Sequence, residues 1–121
     1  MILVNELRFG NYLLFGKQIQ CVFKITGDGV NTYCNDIEIS DAFENIHPIP
    51  LTKDWLLKFG FKEGTSWYSK YEHPIAINIS IKHGLTTVGA NEEYEVECKY
   101  VHQLQNLYFA LTGKELEIIN Q

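Results

Sequence analysis

The spacing of apolar and polar positions predicts most of the secondary structure. Tyr12 to Phe15 is a short apolar run ending at Gly16-Lys17. Ile19, Cys21, Phe23 and Ile25 then alternate with Gln20, Val22 and Lys24, the period of a strand with one apolar face. Gly27-Asp28-Gly29 is a hairpin signal, because glycine accepts the positive φ that tight turns need. Val30, Thr32 and Cys34 alternate again, Asn35-Asp36 turns, and Ile37-Glu38-Ile39 is a further short strand. So small a sheet is expected to curl into a small barrel or to pack on the rest of the chain.

Pro48 and Pro50 mark a seam, since proline restricts its own backbone and that of the residue before it. A short helix is expected beyond them. Thr52 stands at the N-cap and Asp54 at the positive end of the helix dipole. Leu51 and Leu56 are spaced as a hydrophobic staple. Gly60 and Phe61 have the positions of a Schellman ending, with Phe61 reaching back to Leu56. A helix this short needs the packing of Trp55, Leu56 and Phe59.

The remainder reads as a meander and a second helix. Ser66 to Tyr71 is a polar and aromatic strand. Ile75, Ile77, Ile79 and Ile81 alternate with Ala76, Asn78, Ser80 and Lys82, predicting one buried and one wet face. Leu85 to Val88 is a short strand, and Tyr94, Val96 and Cys98 alternate with Glu93, Glu95 and Glu97. From Lys99 the period becomes helical. Val101, Leu104, Leu107, Tyr108 and Leu111 form an apolar stripe, which Gly113 ends. Leu116, Ile118 and Ile119 read as a final extended edge.

Composition narrows the function classes. The chain has 121 residues, 45% hydrophobic, enough for one cooperative core and too apolar for wholesale disorder. The net charge of −5 is spread along it: residues 1–50 carry three basic and six acidic side chains, residues 51–121 seven and nine. This disfavours non-specific nucleic-acid binding, which runs on clustered Lys and Arg, while leaving room for a small specific site. Met1 to Glu6 lacks the basic and long apolar regions of a secretory signal. No apolar run approaches the ~20 residues that span a bilayer. Cys21, Cys34 and Cys98 are few and odd in number, the pattern of reduced thiols in a cytoplasmic protein.

Candidate chemistry is sparse. His47, His73, His83 and His102 lack the paired spacing of metal ligands. Cys98 and His102 share a helix face only if the helix starts at Cys98. Cys21 and Cys34 face each other if the hairpin loop is Gly27-Asp28; with Asp28-Gly29, Cys34 faces Phe23. No nucleophile elbow or phosphate loop is present. The pairs Asp36/Asp41 and Glu93/Glu95 read as wet strand faces. No catalytic residue, cofactor or metal is therefore implied.

Two groups suit partner binding. Trp67, Tyr68 and Tyr71 lie on a strand with little apolar alternation, and exposed aromatics are common anchors; the alternative is that they fill the space between subdomains. His102, Gln103, Gln105 and Asn106 form an uncharged polar helix face, suited to hydrogen-bonding a partner chain, a second copy or base edges. Plain solvent exposure is the competing reading.

Three segments carry a resemblance. They are Asn5-Glu6-Leu7-Arg8-Phe9-Gly10-Asn11-Tyr12, Pro48 to Phe61 (PIPLTKDWLLKFGF), and Lys99 to Gly113 (KYVHQLQNLYFALTG). Together they resemble a family of small uncharacterised proteins encoded in phages, prophages and mobile elements of bacteroidete bacteria. The resemblance implies that setting and a cytoplasmic location, and brings no activity or catalytic residues.

The expected fold is α+β. A small SH3/Tudor-like antiparallel barrel or curled sheet (residues 1–50) precedes an α-β-meander-α unit (residues 51–121). The expected function is a non-enzymatic module that binds a protein partner or a second copy of itself. A specific nucleic-acid-binding accessory protein is the alternative. No membrane association is expected.

Overall fold

Five short strands, β1 (Tyr12–Phe15), β2 (Gln18–Ile25), β3 (Gly29–Cys34), β4 (Ile37–Ala42) and β5 (Ile46–His47), form one antiparallel sheet in the order β4-β3-β2-β1-β5. The computed structural model describes residues 7, 8, 10–15, 18–25, 29–34, 37–42, 46–65, 67–82, 85–90 and 95–119. Of residues 15, 18, 20, 23–25, 29–34 and 37–42 it describes the backbone alone. The chain divides into two compact units: Met1–Ile49 with Tyr100–Asn106, and Pro50–Lys99 with Leu107–Gln121.

Within the first unit, the sheet has β4 and β5 as its two ends. It is open among the described residues, so the α+β class holds without a closed barrel. Leu7, Leu13, Val22 and Ile46 are its buried cluster. The parity of β2 differs from the sequence expectation. Val22 is buried at 1% exposure, whereas Ile19 is 42% exposed and Cys21 half-buried. The register with β3 also shifts between Val22 and Lys24. Ile25 pairs with Val30 and Lys24 with Asn31, but past Phe23 the register slips, so Val22 meets Thr32 and Cys21 meets Tyr33. Cys21 therefore faces neither Cys34 nor a disulfide partner, and it is a free thiol. Gly27 and Asp28 lie outside the described residues.

The second unit opens with helix α1 (Lys53–Lys58). Thr52 holds the cap position with extended backbone, yet its hydroxyl makes no capping bond. The other end is a Schellman motif: the Phe61 N–H donates to the Leu56 carbonyl at 3.0 Å and the Gly60 N–H to Leu57 at 3.0 Å. Gly60 takes φ +87°, the left-handed value this ending requires. Trp55, Leu56 and Phe59 are buried, with the two rings 5.6 Å apart.

The second sheet is also antiparallel, in the order β10-β9-β8-β7-β6. Its strands are β6 (Lys62–Glu63), β7 (Tyr68–Glu72), β8 (Ile75–Lys82), β9 (Leu85–Ala90) and β10 (Glu95–Glu97). The isoleucine alternation of β8 gives its faces: Ile77 and Ile79 are fully buried, each worth about 1.5–3 kcal/mol. Tyr68 and Lys70 pair with Ile79 and Ile77 and share the inward face, while Ser69 and Tyr71 point outward. A cis His73-Pro74 peptide joins β7 to β8. Glu93 and Tyr94 lie outside the described residues; Glu95, Val96 and Glu97 are all exposed.

The last element is helix α2 (Val101–Thr112). Residues 100–106 group with the first unit and 107–112 with the second, where the sequence suggested a helix belonging wholly to the second. Val101, Leu104 and Tyr108 are buried as the stripe requires, and so are His102 and Gln105. Residues 115–119 form no strand; Leu116 is buried, and the Ile119 N–H donates to the Lys58 carbonyl at 2.8 Å.

Candidate functional site

The polar positions of α2 and the aromatics around β7 have opposite fates. In the first unit, the Gln105 side chain is buried and bonds backbone at both ends. Its Nε2 donates to the Gly10 carbonyl at 2.8 Å, and its Oε1 accepts from the Tyr12 N–H at 2.8 Å. Asn106 Oδ1 accepts from Asn11 Nδ2 at 2.9 Å and from the Arg8 guanidinium at 3.2 Å. Asn11, itself fully buried, accepts from the Arg8 N–H at 2.6 Å. Buried backbone groups must find partners, and here the amides supply them. Gln103 is half-buried, and its Oε1 accepts from the Tyr100 N–H at 3.2 Å across the first turn of α2. His102 is buried and stacks on Tyr100, ring centroids 6.0 Å apart. The outward polar face expected of His102, Gln103, Gln105 and Asn106 is thus corrected: two of the four are buried, and the amides serve the fold.

Around β7 two of the three aromatics stay outside. Trp67 is 52% exposed and Tyr71 64%. They sit at alternate positions about Ser69, Trp67 immediately before β7. Trp67 is set by the turn from β6, where the Gly64 N–H donates to the Trp67 carbonyl at 2.8 Å. The Tyr71 hydroxyl meets His73 Nδ1 at 2.9 Å. Tyr68, the third aromatic candidate, faces inward and is half-buried, with its hydroxyl donating to Glu63 at 3.2 Å. Glu63 in turn pairs with Lys53 at 3.0 Å. The Lys53 bond, then Tyr68, holds the Glu63 carboxyl below its usual range, and Lys53 is raised by the same pair.

Beside Tyr71 lies a groove of about 470 Å³, lined by Gly60, Lys62, Ser69, Lys70, Tyr71 and Glu72, within the range of ligand sites. Its charges are organised by neighbours. Lys70 Nζ donates to the Phe59 carbonyl at 2.9 Å, a cation at the negative end of α1. Glu72 receives Lys114 Nζ at 3.0 Å and the Tyr108 hydroxyl at 3.0 Å. These bonds, Lys114 first, lower the Glu72 carboxyl; burial and then Glu72 raise the Tyr108 phenol. The sequence exposed Tyr71 as an anchor but not Lys62, Lys70 or Glu72, whose meeting depends on strand register.

Cys98 is buried, and burial pushes its thiol up to about 12. The helix begins at Val101, past Cys98, so the two-residue ligand face suggested for Cys98 and His102 is not built on one helix. His83 lies outside the described residues. Among the described residues no group of three or more His, Cys, Asp or Glu side chains is placed to hold a metal, and no helix is long and apolar enough to cross a membrane. No protein-family model, curated protein or solved structure matches the chain.

Proposed function

We propose that the protein is a non-enzymatic interaction module that binds a protein partner through the aromatic edge of its second sheet. The observation carrying this reading is the exposure of Trp67, just before β7, and of Tyr71 on β7 beside a groove. Large aromatics held on a rigid strand are favourable anchors, because little side-chain freedom is lost when they are covered. The internal use of the Gln105 and Asn106 amides removes the feature that most favoured base reading. In this reading the protein is cytoplasmic and serves a phage or mobile element of bacteroidete bacteria. The SH3-like reading of the first sheet is supported by its strand order, in which the fifth strand lies beside the first.

Site-specific crosslinking in a bacteroidete cell tests the proposal. Tyr71→p-benzoylphenylalanine keeps an aromatic ring in place and reports what lies against it. The expected outcome is a discrete protein adduct, lost when Trp67→Ala is added and absent with the probe at exposed Glu115. Recovery of nucleic acid alone, or equal adducts at both positions, refutes it.

A further inference from the structure

The groove beside β7 has features that define a ligand class, an inference that rests on the interaction reading above. β6 pairs with β7 only at Tyr68 and Ser69. Beyond them β7 continues through Lys70, Tyr71 and Glu72, about 10 Å of strand edge. At this point the chain leaves the sheet through Phe61 and Gly60 into α1, and the groove occupies the space it leaves.

The groove is rich in donors. Lys62, Lys70, Ser69 and Tyr71, all residues with donor groups, are among those that line it. Its one carboxylate, Glu72, already receives Lys114 and Tyr108. Lys70 spends one N–H on the Phe59 carbonyl, and an ammonium has three. The two cations also stand on opposite faces of the sheet. Lys62 pairs with outward Ser69, whereas Lys70 pairs with buried Ile77.

From this we infer that the groove binds an extended acidic peptide segment of a protein partner, added as a strand beside β7. Successive side chains of a strand alternate between faces. Acidic side chains on the two faces of such a strand would be complementary to Lys62 on the outer face and Lys70 on the inner one. Flanking apolar side chains would lie against Tyr71. Strand addition supplies backbone hydrogen bonds, and the charge pair supplies selection against basic and neutral strands.

Fluorescence anisotropy with the full chain and two fluorescein-labelled hexapeptides, TVEEVT and TVKKVT, tests this. Saturable binding of TVEEVT is expected, with TVKKVT weaker by about tenfold or more, a difference of about 1.4 kcal/mol. Lys62→Glu, an exposed position, should weaken TVEEVT about fivefold or more and reduce its salt dependence. Lys70→Met adds a second reading if its urea midpoint matches the parent; otherwise Lys62→Glu decides alone. Equal binding of the two peptides, no binding of TVEEVT at millimolar protein, or indifference to Lys62→Glu overturns the inference. So does a labelled oligothymidylate that binds more tightly than TVEEVT. The Tyr71 crosslink does not depend on ligand charge. A protein adduct combined with a charge-blind peptide result therefore removes the acidic-strand inference and leaves the interaction reading standing.

Discussion

Two polar-aromatic regions of this chain look alike as sequence and behave oppositely as structure. The segment His102 to Asn106 carries uncharged hydrogen-bonding side chains on a helix; the segment Trp67 to Tyr71 carries aromatics on a strand. In the first, Gln105 and Asn106 turn toward the Arg8–Tyr12 segment and are consumed by it. In the second, Trp67 and Tyr71 remain in solvent. What separates them is demand. Arg8 to Tyr12 brings buried backbone groups that a side-chain amide can satisfy, whereas an indole and a phenol on the outward side of a sheet meet no such need. An unusual polar face therefore points to function only after the backbone's own requirements have been met.

The largest effect that would break this contrast is at Gln105. Gln105→Leu leaves the Gly10 carbonyl and the Tyr12 N–H without their partner. At about 1–3 kcal/mol for each of the two unsatisfied groups, both part-buried, urea unfolding should show a loss of about 2–6 kcal/mol. A loss near zero would return α2 to the list of interaction surfaces. Gly60→Ala comes next. Its Cβ would clash with Ile119 Cδ1, at a φ that disfavours any side chain, and about 1–2 kcal/mol of destabilisation is expected in urea unfolding. A smaller effect is expected with pH. Glu63 and Glu72 have folded-state values depressed below 4.5, so their stabilisation is complete above that pH and is lost as pH falls through the lower folded value. Both pairs are solvent-exposed, so urea titrations between pH 5 and pH 3 should show a shallow loss that salt diminishes. Smallest of all is the expected effect of Trp67→Ala with Tyr71→Ala on stability, within about 0.5 kcal/mol in urea unfolding. A large loss of stability there would make these rings structural and erase the distinction.

Much of the second unit was legible because its signals are local and mutually consistent. Gly60 and Phe61 announce the Schellman ending three to five residues from the carbonyls they bond, and the β8 isoleucines announce their own buried face. The first sheet was less so. The alternation of Ile19, Cys21, Phe23 and Ile25 suggested one continuous apolar face, but Val22 is buried and Ile19 exposed, and the register shifts between Val22 and Lys24. Periodicity cannot locate such a shift when the residues on both sides are apolar. The clamp at Gln105 was missed for a different reason: it joins residues 95 apart in sequence, with no local spacing to signal it. The aromatic candidates divided because pattern gives the direction of a strand residue only once its partner is known. Tyr68 faces inward because it pairs with Ile79, and Tyr71 outward because it pairs with Ala76.

The Gln105 carboxamide gives one hydrogen bond and accepts one here, the same pair a peptide group presents. β5 lies beside β1 only at Leu14 and Phe15, and at Gly10 to Tyr12 that amide stands where another strand would. It acts as a molecular stopper: the segment is hydrogen-bonded as if the sheet continued, yet a single side chain offers no edge for a further strand to extend. Protection against edge-to-edge aggregation is thus built into a helix, and a variant lacking this amide should both unfold more easily and self-associate through the start of β1.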